Sequence, residues 1–367
     1  MKIIEEQVLS SLNKDLSGAL DSGFELENID YGLVERSQSK PMLLTALLGG
    51  TENEEFIETT TIKYDDLIEI LQLPSDKAYS AYGPSLSKDN ARQLLYAIGS
   101  TGLRYNVAPK DYANKRQPGS SELMTEEYVI SQMVKKAAKA WDLRRELEFA
   151  SVITADQNYS DNTGVSPVYN YFTDVYGTAR GAKIDMDLGG TSDVFAKAGE
   201  VFDGLTEALD NANSGMSMAV VVCGKDFYSK RFAIEKQEGL ARDIRGPLDL
   251  ASMAVPRSNF GAGDGLFPQY QYFDSHDGFR YIRYSASILG TNLIGDEDAY
   301  VIPVGSDMLF KRVYAPAQDR ENVNTTAQRM YTWSKVDNRT GVHVAQESNS
   351  LLINLNPKLI IPLTTQS

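Results

Sequence analysis

The sequence predicts an α+β fold in which helices come early and strands come late. Three observations carry that expectation. Residues 126–153 hold neither glycine nor proline and repeat apolar side chains at helical spacing. Residues 279–363 break into short β-branched and aromatic runs, and the two kinds of segment do not alternate as a doubly wound sheet would require. The chain has 367 residues, 42% apolar and 23% charged, enough for one large or two to three modest domains with a sizeable core.

Residues 1–55 mix short apolar groups with Gly18, Gly23, Gly32, Pro41 and Gly49-Gly50, so they read as an extended arm with a short helix at most. The run from Phe56 through Thr59, Thr60, Thr61, Ile62 and Tyr64 predicts a strand. Residues 78–112 scatter Tyr79, Tyr82, Tyr96 and Tyr105 among Gly83-Pro84, Gly99 and Gly102 with no large apolar face, which predicts a projecting hairpin. The long helix follows. Thr125 caps it, Glu126 and Glu127 suit its positive dipole end, and a rise of ~1.5 Å per residue makes it a rod of roughly 42 Å. Its apolar stripe is Ile130, Met133, Val134, Ala137, Ala138 and Trp141, drifting to Leu143, Leu147 and Ala150.

Residues 168–175 and 182–188 predict a strand pair across Tyr176-Gly177. Ser192-Asp193 predicts the cap of a second helix with Phe195, Ala198, Phe202, Leu205 and Leu209 on one face. Residues 218–223 predict a buried strand, and Asp226 the cap of a third helix. After the glycines Gly261, Gly263 and Gly265, strands are expected at 279–285, 299–304, 308–314, 330–333, 342–347 and 359–363.

Fifty acidic against 36 basic side chains leave a net charge of −14, which disfavours sequence-reading nucleic-acid binders and peripheral membrane anchors. One cysteine, Cys223, and two histidines, His276 and His343, leave little for a disulfide or a transition-metal site. Glu5 and Glu6 stand where a secretory signal needs basic residues, so a location inside a cell is expected. The apolar stretch 42–48, interrupted by Thr45, is far short of the roughly 18 residues that span a bilayer.

Candidate chemistry is thin. Gly224-Lys225 lies between a strand and a helix as in a phosphate-binding loop, but Ala219 stands at the first glycine and Asp226 at the Ser/Thr. Asp156, Asn158 and Ser160 imitate the start of a calcium loop, yet Asp161 and Pro167 occupy its glycine and glutamate positions. Asp296, Glu297 and Asp298 read as a solvated acidic turn rather than a catalytic carboxylate pair. Neither histidine has a recognised nucleophile signature beside it, and Cys223, Trp141 and Trp333 read as packing residues. No catalytic, cofactor-binding or metal-ligating residue is assigned, and no cofactor is expected.

Several segments resemble the major capsid proteins of tailed bacteriophages, the lambda-type coat protein family with the Hong Kong ninety-seven type fold. They are Tyr314-Ala315-Pro316-Ala317-Gln318-Asp319, Tyr331 to Trp333, Glu347-Ser348-Asn349-Ser350-Leu351-Leu352 and residues 357–363, where the family has a Tyr-x-Pro-x-x-Asp segment and a closing turn. Glu347 and Ser350 replace two letters of that turn. Arg144-Arg145-Glu146-Leu147-Glu148 and Val220-Val221-Val222-Cys223-Gly224-Lys225-Asp226 are similar to the family's helix end and its strand-turn-helix.

The resemblance implies an N-terminal arm (1–55), a strand with an extended hairpin loop (56–115), a peripheral domain built on a spine helix (116–189 and 326–367), and an axial domain (190–325). It implies that the spine packs against strands of residues 168–188 and 328–363. It also implies a head protein that self-assembles into hexamers and pentamers of an icosahedral shell around double-stranded DNA, assembled in the host cytoplasm and matured from a procapsid. A separate scaffold protein, a portal and a decoration protein are the partners it implies, with no membrane and no sequence-specific DNA contact. Lys88, Lys110 and Asn356 do not align to the side-chain crosslinks of some relatives. Two rival expectations are a nanocompartment shell of the same fold around protein cargo and an acidic glycan-active enzyme.

Overall fold

The computed structural model describes residues 43–48, 53–68, 90–118, 122–160, 167–189, 194–211, 218–237, 244–245, 248–249, 266–267, 271–275, 277–284, 287–288, 291–305, 309–337 and 340–365. Most of the expected arm, the Ser192-Asp193 cap, the glycine run near 261–265 and His276 lie outside these residues. The helices are α1 (Leu43–Leu48), α2 (Pro109–Tyr112), α3 (Glu126–Ala155), α4 (Tyr171–Tyr176), α5 (Val194–Asn211) and α6 (Lys225–Gln237). The first strands are β1 (Asn53–Phe56), β2 (Thr61–Ile68), β3 (Asn90–Ala97), β4 (Thr101–Val107), β5 (Ile184–Asp185) and β6 (Met218–Cys223). Short strands follow as β7 (Ile244–Arg245), β8 (Leu248–Asp249), β9 (Leu266–Phe267), β10 (Gln271–Asp274), β11 (Arg280–Arg283), β12 (Ser287–Ile288) and β13 (Thr291–Asn292). The last are β14 (Asp298–Val304), β15 (Phe310–Tyr314), β16 (Tyr331–Asp337), β17 (Gly341–Ser348), β18 (Ser350–Asn354) and β19 (Ile361–Thr364).

A seven-stranded mixed sheet, ordered β5-β19-β14-β6-β11-β10-β7, carries the larger core. Ala219 to Cys223 of its central strand are all buried, as a continuous apolar run requires when both faces are covered. The last strand, β19, returns antiparallel to β14 and parallel to β5, so residues far apart in sequence close this sheet. A second sheet, β16-β17-β4, is antiparallel and lies on the N-terminal half of α3. There Val107, Val342 and Val344 meet Val129, Ile130 and Val134 in a smaller, separate core. A third sheet, β1-β15-β18, receives β1 in parallel pairing with β15.

The long helix forms as expected and runs to Ala155. Thr125 accepts the Tyr128 amide at its start, and Asp156 at φ 59° in the left-handed region ends it. It packs against α1, β4 and, within 328–363, β18, and the segment after α4 reaches it through Arg180, which donates to the Ile153 carbonyl. Several local expectations are corrected. The expected strand at 168–175 is instead the helix α4, because Asn170 accepts the Thr173 amide and Gly177, at φ +72°, closes the turn onto the Thr173 carbonyl. Residues 182–188 supply only β5. The expected strand from Phe56 to Tyr64 is split by a bend at 58–60 into β1 and β2.

The hairpin is real but displaced: β2 pairs antiparallel with β3, from Thr61↔Ala97 to Ile68↔Asn90, whereas residues 101–107 leave it to pair with β17. The third helix begins at Lys225, which puts Asp226 inside its first turn instead of at the cap. In α5 the buried face is Val194, Ala198, Val201, Leu205, Ala208 and Leu209, while Phe202 is exposed. Strand β18 is not among the expected strands; it pairs with β15 from Phe310↔Asn354 to Tyr314↔Ser350.

Candidate functional site

Polar side chains that the sequence places far apart meet around the C-terminal half of α3. Glu146 is fully buried, and its carboxylate accepts the Leu44 amide at 2.9 Å, the Thr45 amide at 2.8 Å, the Thr45 hydroxyl at 2.7 Å and the Tyr284 hydroxyl at 2.6 Å. Both amides belong to the first turn of α1, where no helical carbonyl can reach them, so a side chain of the spine completes the short helix. One carboxylate thereby joins the end of the arm, the spine and the segment after β11. Two residues on, Glu148 accepts Arg312 at 2.5 Å and Arg144 at 3.1 Å, fixing β15 to the same helix. Burial and the neighbouring Arg312 lower the Arg145 guanidinium to about 10.

A second cluster pins α6 to the turn between β10 and β11. The fully buried Arg231 donates to Glu235 at 2.8 Å, Ser275 at 2.7 Å and Asp277 at 2.9 Å, while the Tyr281 hydroxyl donates to Asp277. The Glu235 and Asp277 carboxylates are buried against the cation, and Asp277 also accepts the Phe279 amide at 3.0 Å. The hairpin is clamped at its base by aromatic side chains. The Tyr169 hydroxyl accepts the Ala97 amide at 2.7 Å, and the Tyr96 ring sits edge-on to Tyr169 and Tyr171 at 4.9 and 5.9 Å.

The candidates for chemistry resolve into structural roles. Gly224 is required by crowding, because a Cβ there would stand 2.0 Å from the Gly295 carbonyl oxygen. The amides of Asp226 and Phe227 donate to the Asp296 carbonyl, so the start of α6 is occupied by the chain itself rather than open to a phosphate. Asp298 accepts Lys183 at 2.6 Å and Glu297 stands 3.8 Å from Lys230, so this acidic turn is tied by ion pairs.

Asp156 and Asn158 do not share a ligand. Asn158 holds the Pro167 carbonyl and the Tyr169 amide, while the Asp156 carboxyl is buried with no hydrogen-bond partner among the described residues and pushed up by burial to about 6. Among the described residues, no group of three or more His, Cys, Asp or Glu side chains is arranged to hold a metal ion. His343 is exposed on β17, 2.8 Å from the Thr340 hydroxyl. Cys223 is fully buried, and burial raises its thiol well above the ordinary value. Trp141 donates to Gln346 at 3.0 Å, and Trp333 stacks on Tyr331. The charged clusters of Glu146 and Arg231 are not among the features expected from the sequence.

The sequence pattern of the family described as phage major capsid protein E matches residues 33–365. The chain belongs to that family. This capsid protein is 21% identical over 290 residues to the major capsid protein of Pseudomonas phage KPP10, covering 75% of this chain and 79% of the relative. Its fold is that of a crystal structure described as a prophage capsid protein from E. coli CFT073, with a TM-score of 0.52 at 14% identity over 89% and 93% of the two chains. The mature capsid of bacteriophage PhiM1 gives a TM-score of 0.49 at 11% identity over 93% and 92%. The architecture is the Hong Kong ninety-seven type, and the protein is a shell-forming component of a virion. Among the described residues, no helix is long and apolar enough to cross a membrane.

Proposed function

We propose that this capsid protein builds an icosahedral phage head from hexamers and pentamers around double-stranded DNA, without catalysing a reaction. Residues 116–189 with 326–367 act as the peripheral domain and 190–325 as the axial domain, tied together by β19. The single observation that supports the reading best is the hairpin β2–β3. Among the described strands it pairs only with itself, and Ile62, Tyr64, Tyr96 and Ala97 join its base to the body. An isolated two-stranded hairpin is marginal in water, so a long one is expected to rest on a neighbouring copy. A scaffold protein, a portal and a decoration protein complete the proposed assembly, which forms in the host cytoplasm before DNA enters.

Assembly of the full-length chain with the head proteins of its source genome tests this reading. The expected product sediments as closed particles far ahead of any small oligomer and protects DNA from nuclease. Particles filled with protein cargo would favour the nanocompartment reading instead. A monomer under all assembly conditions, or glycan hydrolysis by purified subunits, would falsify the shell.

A further inference from the structure

Asp156 is 2% exposed, and neither of its carboxyl oxygens has a hydrogen-bond partner among the described residues. Its place adds to the cost of a charge there. It ends α3 in the left-handed conformation, where the last carbonyls of the helix present the negative end of the dipole. Arg180, in the irregular stretch between α4 and β5, is the cation that acts on it. That cation is committed elsewhere: Nη1 donates to the Ile153 carbonyl at 3.1 Å, and Nη2 donates to the Ile360 carbonyl. Ile153 belongs to the last turn of α3, and Ile360 directly precedes β19, the strand that lies between β14 and β5 in the seven-stranded sheet. Arg180 thus ties the end of the spine to the entry of β19.

The two carbonyls and the carboxyl therefore compete for one guanidinium, and only the carboxyl can change its charge. A protonated Asp156 is a weak acceptor and leaves both Nη groups to the carbonyls. An ionised one is the stronger partner, since a charge-assisted bond is roughly twice as strong as one to a neutral acceptor. Burial pushes the carboxyl up to about 6 and Arg180 opposes the rise, so the charge changes between acid and neutral solution. Other ionisable groups surround the pair on each neighbouring element. On α4 the Tyr171 hydroxyl donates to the Leu352 carbonyl, and Asp174 stands beside Tyr171. Tyr300 of β14 stands near Arg180, and burial raises it to about 12. Glu148, earlier on α3, is paired with Arg312 and Arg144, and Lys358 lies over the Tyr176 ring. We propose that Arg180 is a proton-governed latch: with Asp156 protonated it holds the Ile153 and Ile360 carbonyls together, and with Asp156 ionised it turns to the carboxylate and releases Ile360. The spine is thereby tied to the larger sheet in acid and freed from it at this point in neutral solution.

Hydrogen exchange of the full-length subunit at about pH 4.5 and about pH 7.5, corrected for the intrinsic pH dependence of exchange, tests the latch on the amides of residues 361–365. The wild-type protein is expected to lose about tenfold or more of its protection there at the higher pH, while β6 keeps its own. Asp156→Asn should exchange slowly at both pH values. Arg180→Gln should exchange fast already at the lower pH, where the tie that it removes is made. Equal protection of the wild-type protein at both pH values, or the same loss in Asp156→Asn, overturns the proposal. So does a loss of equal size in β6, which reports global opening, or wild-type protection of Arg180→Gln at the lower pH.

Discussion

The two halves of the spine helix differ in what they add to apolar packing. From Val129 to Ala137 the helix is an ordinary amphipathic one: a stripe of valine and isoleucine meets the valines of β4 and β17, and Lys135, Lys136 and Lys139 stay in water. From Glu146 to Ile153 burial runs around most of the helix, and two of the buried side chains are carboxylates. Oil-like packing holds the first half to its local sheet. The second half packs Phe149, Val152 and Ile153 into the larger core and adds hydrogen bonds to residues more than a hundred positions away, which makes it the junction of the arm, the spine and the larger sheet. Polar contacts of this kind are directional, so a junction built from them fixes orientation as well as proximity.

The largest expected effect tests that contrast at its centre. Glu146→Ala leaves the Leu44 and Thr45 amides and the Tyr284 hydroxyl without their acceptor, a loss of about 4 kcal/mol in a urea unfolding series. Glu146→Gln keeps an acceptor oxygen and should lose roughly half as much. Hydrogen exchange should show residues 43–48 opening first; a change below about 1 kcal/mol for the alanine variant would erase the distinction between the halves.

Asp156→Asn should act in the other direction. Burial raises this carboxyl to about 6, above its unfolded value near ~3.9, so the folded state binds the proton more tightly between those values. Stability therefore falls as pH rises from about 4 to about 6 and stays lower above that. The asparagine variant should lack this slope and be more stable at pH 8 by on the order of 2 kcal/mol. An unchanged slope in thermal unfolding from pH 4 to 8 would show that the end of the helix is not the source.

In the amphipathic half, Val134→Ala should cost about 1.5 kcal/mol and leave the arm contacts untouched, since it belongs to the smaller core. Exposure of residues 43–48 in this variant would mean that the halves are coupled. Lys135→Ala, on the solvent side, should change stability by less than about 0.5 kcal/mol.

The same contrast explains what is legible in the sequence. Ile130, Val134 and Ala137 reveal the first half because apolar spacing is a local signal. Glu146 and Glu148 read as surface letters, since their partners Leu44, Thr45, Tyr284 and Arg312 share no local pattern with them. The hairpin is displaced from its expected place for a related reason: its strands pair across more than twenty intervening residues, and only the register shows that β4 belongs elsewhere. Helix α4 is hidden by strand-favouring letters in Tyr171–Tyr176, although Asn170 before it and Gly177 after it are cap signals. The family resemblance locates the shell function, but neither the buried carboxylate junction nor the pairing of Asp156 with Arg180 follows from it.

Cryo-electron microscopy of the full-length protein assembled with its head proteins tests the central claim most directly. Closed shells are predicted, in which each subunit shows α3 as a single rod, the sheet β16-β17-β4 on its N-terminal half, and the hairpin β2–β3 lying on a neighbouring subunit. Fields of isolated subunits or small open oligomers, from protein that is folded and pure, would contradict it.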